Sequence, residues 1–151
     1  MMIDRSQTGG KPLHRVTVTA SADGVLKTLN EFEHFSRAQG LPEDLRRRFL
    51  TALDEVLSNV ARHGQPSNGL IHVDFTLAGS RLTVTVEDDA PPFNPLTAPP
   101  ADTVSPLERR KAGGVGIELV RQLLETVEYA RTGDRNRLTM TDRLSRQAEH
   151  S

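Results

Sequence analysis

The chain has 151 residues, a length that fits one domain able to bury roughly two-thirds of its unfolded surface. Its 19 Lys and Arg residues nearly balance its 20 Asp and Glu residues, so the basic surplus of a non-specific nucleic-acid binder is absent. The lack of cysteine excludes disulfides, thiol catalysis and cysteine-ligated zinc, and the lack of any run of ~20 apolar residues predicts a soluble, cytoplasmic protein.

The first half of the chain predicts a tail, one strand and two helices. Residues 1–13 are polar and turn-forming, and we expect them to be a flexible N-terminal tail. The alternation in residues 14–20 is typical of a strand. A helix capped by Ser21 is expected to end before Gly40, and a second helix then runs to His63.

The second half predicts two hairpins separated by a long loop and one helix. Apolar residues alternate with polar ones in 71–77 and again in 82–86, which predicts two strands joined by a two-residue turn. A helix is expected over 115–124, a terminal hairpin up to residue 143, and a flexible tail over 144–151. This order predicts an α+β fold, a two-layer sandwich in which about three helices cover one face of a largely antiparallel mixed sheet.

The second predicted helix places Glu55 and Asn59 on one flank of its apolar stripe. The two residues are four positions apart and therefore project together, with His63 on the same flank. A carboxylate there can accept a proton from an attacking hydroxyl, and an amide oxygen suits Mg²⁺. The alternative is an ordinary polar helix flank, on which His63 only closes the helix end.

The strand that begins at Leu82 ends in a pair of carboxylates. By parity Asp88 continues the apolar series and points toward the covered face, whereas Asp89 points away. A buried carboxylate needs hydrogen-bond donors, and the exocyclic amine of a purine is one suitable donor. The alternative is that the strand has already ended and that Asp88 only shapes a turn.

Three glycines, Gly113, Gly114 and Gly116, precede the last predicted helix. Their backbone N–H groups can approach an anion closely, and the N-terminus of the helix adds favourable electrostatics. The pattern is neither a Walker A loop nor the full dinucleotide pattern G-x-G-x-x-G. Glycines before helices are common, so an ordinary helix start is the alternative.

In this order the three segments resemble the histidine-kinase-like ATPases, which use the Bergerat ATP-binding fold, and more closely their anti-sigma-factor serine/threonine kinase branch. Residues 55–59 (EVLSN) are similar to the N-box, residues 88–90 (DDA) to the first glycine box, and residues 114–120 (GVGIELV) to the second. The resemblance covers residues 14–143, which we expect to form the ATPase domain. Ala90 replaces the family's glycine, which predicts a different turn or reduced nucleotide affinity there.

The resemblance implies a role for each matching position. Asp88 would accept the adenine amine, and Ala90 would follow it in the adenine pocket. Asn136 lies where the family often has a threonine near the adenine. Asn59 would bind Mg²⁺, and Glu55 would be the general base.

The same resemblance implies how the phosphates of ATP are held. The backbone of Gly114, Val115 and Gly116 would wrap them, and residues 96–112 would form a lid over the nucleotide.

The resemblance also implies a function and partners. The protein would be a kinase that moves the γ-phosphoryl group of ATP to a Ser or Thr of an anti-sigma-factor antagonist, and that sequesters a sigma factor and so regulates transcription. A homodimer is implied, with no direct contact to nucleic acid or membrane. One alternative is a nucleotide-binding switch without phosphoryl transfer, but the presence of Glu55 favours the enzyme because a binder needs no base. Another, an α+β adaptor without nucleotide, is disfavoured by the joint occurrence of the three segments.

Overall fold

The computed structural model describes residues 13–64, 69–94, 96 and 115–145. Most of the two predicted tails and most of the predicted lid lie outside these residues. Among the described helices, none combines the length and the apolar character needed to cross a bilayer.

The structure has five strands and three α-helices in its described part, and one sheet contains all the strands. In chain order the elements are β1 (His14–Thr19), α1 (Ala22–Ala38), α2 (Glu43–Asn59), β2 (Leu70–Ala78), β3 (Arg81–Asp88), α3 (Val115–Leu123), β4 (Thr126–Thr132) and β5 (Arg135–Arg143). The strand order is β1-β2-β3-β5-β4, and every neighbouring pair is antiparallel. The predicted α+β fold is confirmed, and the sheet is antiparallel throughout the described residues rather than mixed.

The sheet follows from the alternation that the sequence shows. In β3 every second side chain from Leu82 to Asp88 is buried, and the intervening ones are partly exposed. The turn between β2 and β3 has two residues, since Ala78 pairs with Arg81, and Gly79 takes a φ of +62°. Glycine adopts this left-handed conformation without steric cost, so it suits the tight turn.

The first helix is fixed at both ends by local sequence signals. The side chain of Ser21 accepts a hydrogen bond from the backbone N–H of Gly24 at 3.1 Å, as expected of an N-cap. Gly40 follows the helix with a φ of +66°. Gly24 also lies against the end of β1, where an added Cβ would be 1.8 Å from the carbonyl oxygen of Thr19. The start of α1 therefore packs directly on the strand.

An aromatic cluster joins α1, α2 and β2 in the core. The ring of Phe32 lies 5.9 Å from Phe49 and 5.2 Å from Phe75, and the latter pair meets edge to face. All three side chains are fully buried. Aromatic pairs in such geometries contribute about 0.5–1.5 kcal/mol beyond the area that they bury. This cluster fixes α2 over the sheet.

A buried ion pair holds α2 to β5. Nη2 of Arg48 lies 3.4 Å from Oδ2 of Asp142, whose carboxylate is almost completely buried. Oδ1 of the same carboxylate accepts the backbone N–H of Arg143 at 2.8 Å. The charge is thus matched by donors on both oxygens, as burial requires.

The second helix differs from its prediction at the C-terminal end. The α-helix stops at Asn59, and a π-helical turn over Val60–Gly64 continues it. A π-helical turn contains more residues than an α-helical one, so later side chains rotate less far about the axis. His63 lies in this turn and is exposed, whereas Asn59 is buried.

Candidate functional site

The end of β3 places a carboxylate inside the domain, as parity predicts. Asp88 is 4% exposed, belongs to the strand and pairs with Asn136 of β5. Its Oδ1 accepts hydrogen bonds from the backbone N–H of Ala90 at 2.9 Å and from Nδ2 of Asn136 at 3.0 Å. The bond to residue i+2 is that of an Asx-turn, so Asp88 both ends the strand and shapes the following turn.

The turn after Asp88 accommodates alanine in the position of the family's glycine. Ala90 is completely buried, and its carbonyl oxygen accepts a hydrogen bond from Nη1 of Arg131 at 2.8 Å. The sequence reasoning did not identify Arg131 or its neighbour Tyr129. The two residues are two apart on β4 and project from the same side of the strand, but nothing local in the sequence shows that this side meets the turn after Asp88.

Glu55 lies half-buried on α2 in the position predicted for a general base. Burial raises the pKa of its carboxyl above the ordinary value, Arg62 opposes this rise, and Asp54 adds to it. A raised pKa favours uptake of a proton by the carboxylate. Glu55 therefore has the chemistry of a base at the edge of the core.

Asn59 is completely buried one helical turn after Glu55. Its Oδ1 accepts a hydrogen bond from Nη2 of Arg62 at 3.2 Å, whereas its buried Nδ2 has no partner among the described residues. A buried amide end left without a partner costs about 1–3 kcal/mol. The unpartnered Nδ2 is a donor, so it would suit an acceptor such as a phosphate or water oxygen and not a cation.

Contacts between elements bring α2 and the end of β3 together. The ring of His63, after α2, lies 6.2 Å from the ring of Phe93, after β3. The helix α3 packs against α2, and Nη2 of Arg121 lies 3.5 Å from the carbonyl oxygen of Leu96, with which it makes a hydrogen bond. The structure thus connects the segments that sequence reasoning had linked only by their order.

The predicted phosphate-binding residues fall at the border of the described chain. Gly114 lies outside the described residues, as does Gly113. Val115 and Gly116 open α3, and their side chains are not described. Their predicted contacts to phosphate remain predictions.

The described residues could hold Mg²⁺ only through a single protein ligand. No group of three or more His, Asp or Glu side chains in the described part of the chain is arranged to hold a metal. Mg²⁺ commonly takes one or two protein oxygens together with water and substrate phosphates. The amide of Asn59 fits that mode, provided that its oxygen is released from Arg62.

Two cavities lie along α1, away from the cluster around Asp88. One of about 470 Å³ lies between β1 and the start of α1, and includes Thr17 and Lys27. The other, of about 430 Å³, lies between α1 and α2 and borders Arg62. Neither includes Glu55, Asn59, Asp88 or Asn136, so we do not assign the nucleotide to them.

Comparison with known families decides the identity of the fold. A family model described as a histidine kinase-like ATPase domain matches residues 18–142. The chain belongs to this family. The predicted membership of the histidine-kinase-like ATPases is confirmed, and a domain of this kind implies ATP binding.

Individual relatives of this ATPase domain agree with the assignment. The serine/threonine-protein kinase BtrW of Bordetella bronchiseptica is 25% identical over 130 residues, which cover 83% of this chain and 87% of BtrW. The structure of the RsbU and RsbW domains of Rv1364c from Mycobacterium tuberculosis matches with a TM-score of 0.66 at 18% identity, covering 90% of this chain but 33% of that one. The SiaB–SiaC complex from Pseudomonas aeruginosa contains a chain that matches with a TM-score of 0.54 at 11% identity, covering 94% of this chain and 99% of that one.

These relatives differ in what they establish. The ATPase domain spans about a third of the Mycobacterium tuberculosis chain and nearly all of the other two. At their identities the two solved structures establish the fold alone. The curated relative connects the domain with a kinase-type ATPase.

Proposed function

We propose that the protein is an ATP-dependent serine/threonine kinase that phosphorylates an anti-sigma-factor antagonist and also sequesters a sigma factor. The observation that carries this proposal is the pairing of Glu55 with Asn59. A half-buried carboxyl with a raised pKa lies one helical turn before a fully buried amide. The description of BtrW as a serine/threonine-protein kinase supports the reaction class.

In the proposed complex the domain formed by residues 14–143 binds ATP through two ends of the nucleotide. Oδ2 of Asp88 accepts a hydrogen bond from the exocyclic amine of adenine. The backbone around Gly114, Val115 and Gly116 wraps the phosphates, with favourable electrostatics from the start of α3. Residues 96–112 act as a lid over the nucleotide.

Transfer in this proposal uses Glu55 as the base. The hydroxyl oxygen of the target serine bonds to the γ-phosphorus, and the bond from that phosphorus to the β–γ bridging oxygen breaks to release ADP. The hydroxyl proton passes to the carboxylate of Glu55. Asn59 would hold Mg²⁺ through its amide oxygen, and the ion would neutralise phosphate charge.

The proposed partners account for a regulatory output. The protein works in the cytoplasm as a homodimer, without direct contact to nucleic acid or membrane, and exchanges a sigma factor for the unphosphorylated antagonist. Phosphorylation adds about −1.5 to −2 charges to the antagonist near pH 7. Acidic neighbours such as Glu55 would repel that charge, and the antagonist would leave.

A non-catalytic nucleotide switch is the second candidate, and one contact favours it. Nη2 of Arg62 donates to Oδ1 of Asn59, the atom that Mg²⁺ would need. If that contact persists with nucleotide bound, the protein would bind its partner without phosphoryl transfer. Arg62 is exposed, so its side chain has room to leave, and this is why we prefer the kinase.

Nucleotide binding is tested by thermal unfolding with and without Mg-ATP. A ligand at 100 times its Kd stabilises the folded state by about 2.7 kcal/mol. For a domain of this size each kcal/mol raises Tm by roughly 2–4 °C. We therefore expect a rise of several degrees with Mg-ATP and a smaller one with ATP and EDTA. An unchanged Tm together with no heat of binding would remove the proposed function.

The variant Asp88→Asn tests the adenine contact. It removes the negative charge and replaces one acceptor oxygen by an NH2 donor. The charge-assisted hydrogen bond to the adenine amine is lost, so we expect binding of ADP to weaken by about 1.5–3 kcal/mol. Isothermal calorimetry gives the Kd directly. Asp89→Asn is the matched control, because Asp89 follows on the same strand end but has the opposite parity, and it should bind ADP as the wild type does. Equal losses in both variants would point to a general charge effect and against the assignment.

A further inference from the structure

Asn136 lies in β5 with both ends of its side-chain amide engaged, and it is 4% exposed. Its Oδ1 accepts hydrogen bonds from three donors: the backbone N–H of Phe93 at 3.1 Å, Nη1 of Arg131 at 3.2 Å and the hydroxyl of Tyr129. Because all three groups donate, the oxygen end of the amide has to face them. The orientation of the amide is therefore fixed by its surroundings.

The opposite end of the amide faces Asp88 and the turn that follows it. Nδ2 donates to Oδ1 of Asp88 at 3.0 Å, and to the carbonyl oxygens of Pro91 at 3.0 Å and Ala90 at 3.3 Å. Oδ1 of Asp88 also accepts the backbone N–H of Ala90. One carboxylate oxygen is thus engaged twice, while Oδ2 accepts no hydrogen bond from the described residues.

We infer, on the basis of the proposed function, that Asn136 is a positioning residue that reserves Oδ2 of Asp88 for the amine of a 6-aminopurine. Tyr129 and Arg131 act one step further out, because their donors hold the amide of Asn136 in its orientation. Side chains from β3, β4 and β5 together determine which base is accepted. Asp88 alone does not.

The fixed amide also excludes a base with a 6-oxo group. The O6 atom of guanine would face Oδ2 of Asp88, and two acceptors repel each other. Nδ2 of Asn136 cannot compensate, because it already donates to Oδ1 of Asp88 and to two backbone carbonyl oxygens. Tyr129 and Arg131 hold the amide in this orientation, so a 6-oxo base leaves buried polar groups unpaired.

The selectivity of binding tests this role more directly than affinity does. Calorimetry in Mg²⁺ would compare ADP with purine riboside 5′-diphosphate, which differs only by lacking the 6-amino group. We expect the wild type to prefer ADP by about 10-fold or more, as a charge-assisted hydrogen bond provides. The preference should fall to about 3-fold or less in Asn136→Leu, and to an intermediate value in Arg131→Met.

Arg137→Met is the matched control for Arg131→Met, since it makes the same arginine-to-methionine replacement on the neighbouring strand β5. The guanidinium of Arg137 pairs with Glu87 at 3.0 Å, on the face opposite to Asn136, so the control should keep the wild-type preference. A full preference for ADP in both Asn136→Leu and Arg131→Met would overturn this role and leave the proposed function standing. If Asn136→Leu does not fold, the exposed Arg131→Met decides alone. A wild-type protein that binds neither diphosphate would overturn the proposed function and this role together.

Discussion

Replacement of Glu55 by Gln is expected to slow phosphoryl transfer by about 10²–10⁴-fold, the usual contribution of a general base. The amide has nearly the same shape as the carboxyl but cannot accept the proton of the attacking hydroxyl. Binding of ADP should remain close to that of the wild type, because Glu55 is proposed to act on the hydroxyl of the protein substrate and not to contact the nucleotide. Single-turnover transfer to the antagonist protein measures the rate.

The neighbouring carboxylate provides a matched control. Asp54 is exposed on α2 and accepts a hydrogen bond from Ser58 at 3.2 Å. We expect Asp54→Asn to transfer phosphate within a few-fold of the wild-type rate, since Asp54 only adds to the rise in the pKa of Glu55. A Glu55→Gln variant as fast as Asp54→Asn would show that Glu55 is not the base.

The raised pKa of Glu55 also predicts that the stability of Glu55→Gln differs from that of the wild type in a pH-dependent way. A carboxyl with a higher pKa in the folded state binds protons better when folded, so its contribution is present at low pH and is lost as pH rises through the folded pKa. Gln does not titrate and escapes this loss. Glu55→Gln should therefore gain stability relative to the wild type as the pH rises above about 4, the ordinary pKa of a glutamate carboxyl. Urea unfolding at several pH values measures the difference in the free energy of unfolding between Glu55→Gln and the wild type. A difference that does not change with pH would show that burial does not raise the pKa of Glu55.

Replacement of Phe32 by Ala is expected to lower the free energy of unfolding by about 3–5 kcal/mol. The ring is fully buried and contacts aromatic rings from both α2 and β2, so its removal leaves a cavity that rigid neighbours cannot fill. Small domains have only about 5–15 kcal/mol in total. Urea unfolding measures the change.

Leu26→Ala on the same helix is the control for Phe32. Leu26 is 57% exposed, and its truncation should change the free energy of unfolding by about 0.5 kcal/mol or less. A loss below about 1 kcal/mol for Phe32→Ala would mean that the aromatic cluster does not hold α1, α2 and β2 together.

Local periodicity was sufficient to predict most of the fold. Alternation identified the strands, and the cap at Ser21 and the stop at Gly40 set the limits of α1. The π-helical turn after Asn59 was missed, because helical spacing in a sequence does not distinguish one extra residue per turn. The need for glycine at position 24 was also invisible, since it arises from a distance to Thr19 in another element.

In the candidate site, too, the features set by local sequence were predictable and those set by contacts between distant elements were not. The burial of Asp88 followed from strand parity, whereas the flank of the apolar stripe of α2 predicted for Asn59 only a position at the border of the core, and the structure buries it completely. The links from Asn136 to Tyr129 and Arg131 depend on the pairing of β4 with β5 and on the position of the turn after β3. Such contacts between distant parts of the chain are set by the packed fold and have no local signal.

Phosphoryl transfer itself tests the central claim most directly. An antagonist protein captured by the chain in the presence of ADP would be incubated with Mg-ATP and either wild-type protein or Glu55→Gln, and its intact mass recorded. We predict one added phosphate on a serine or threonine of the antagonist with the wild type, and almost none with Glu55→Gln in the same time. An antagonist that stays unmodified although the wild type binds Mg-ATP would contradict the kinase and favour the non-catalytic switch.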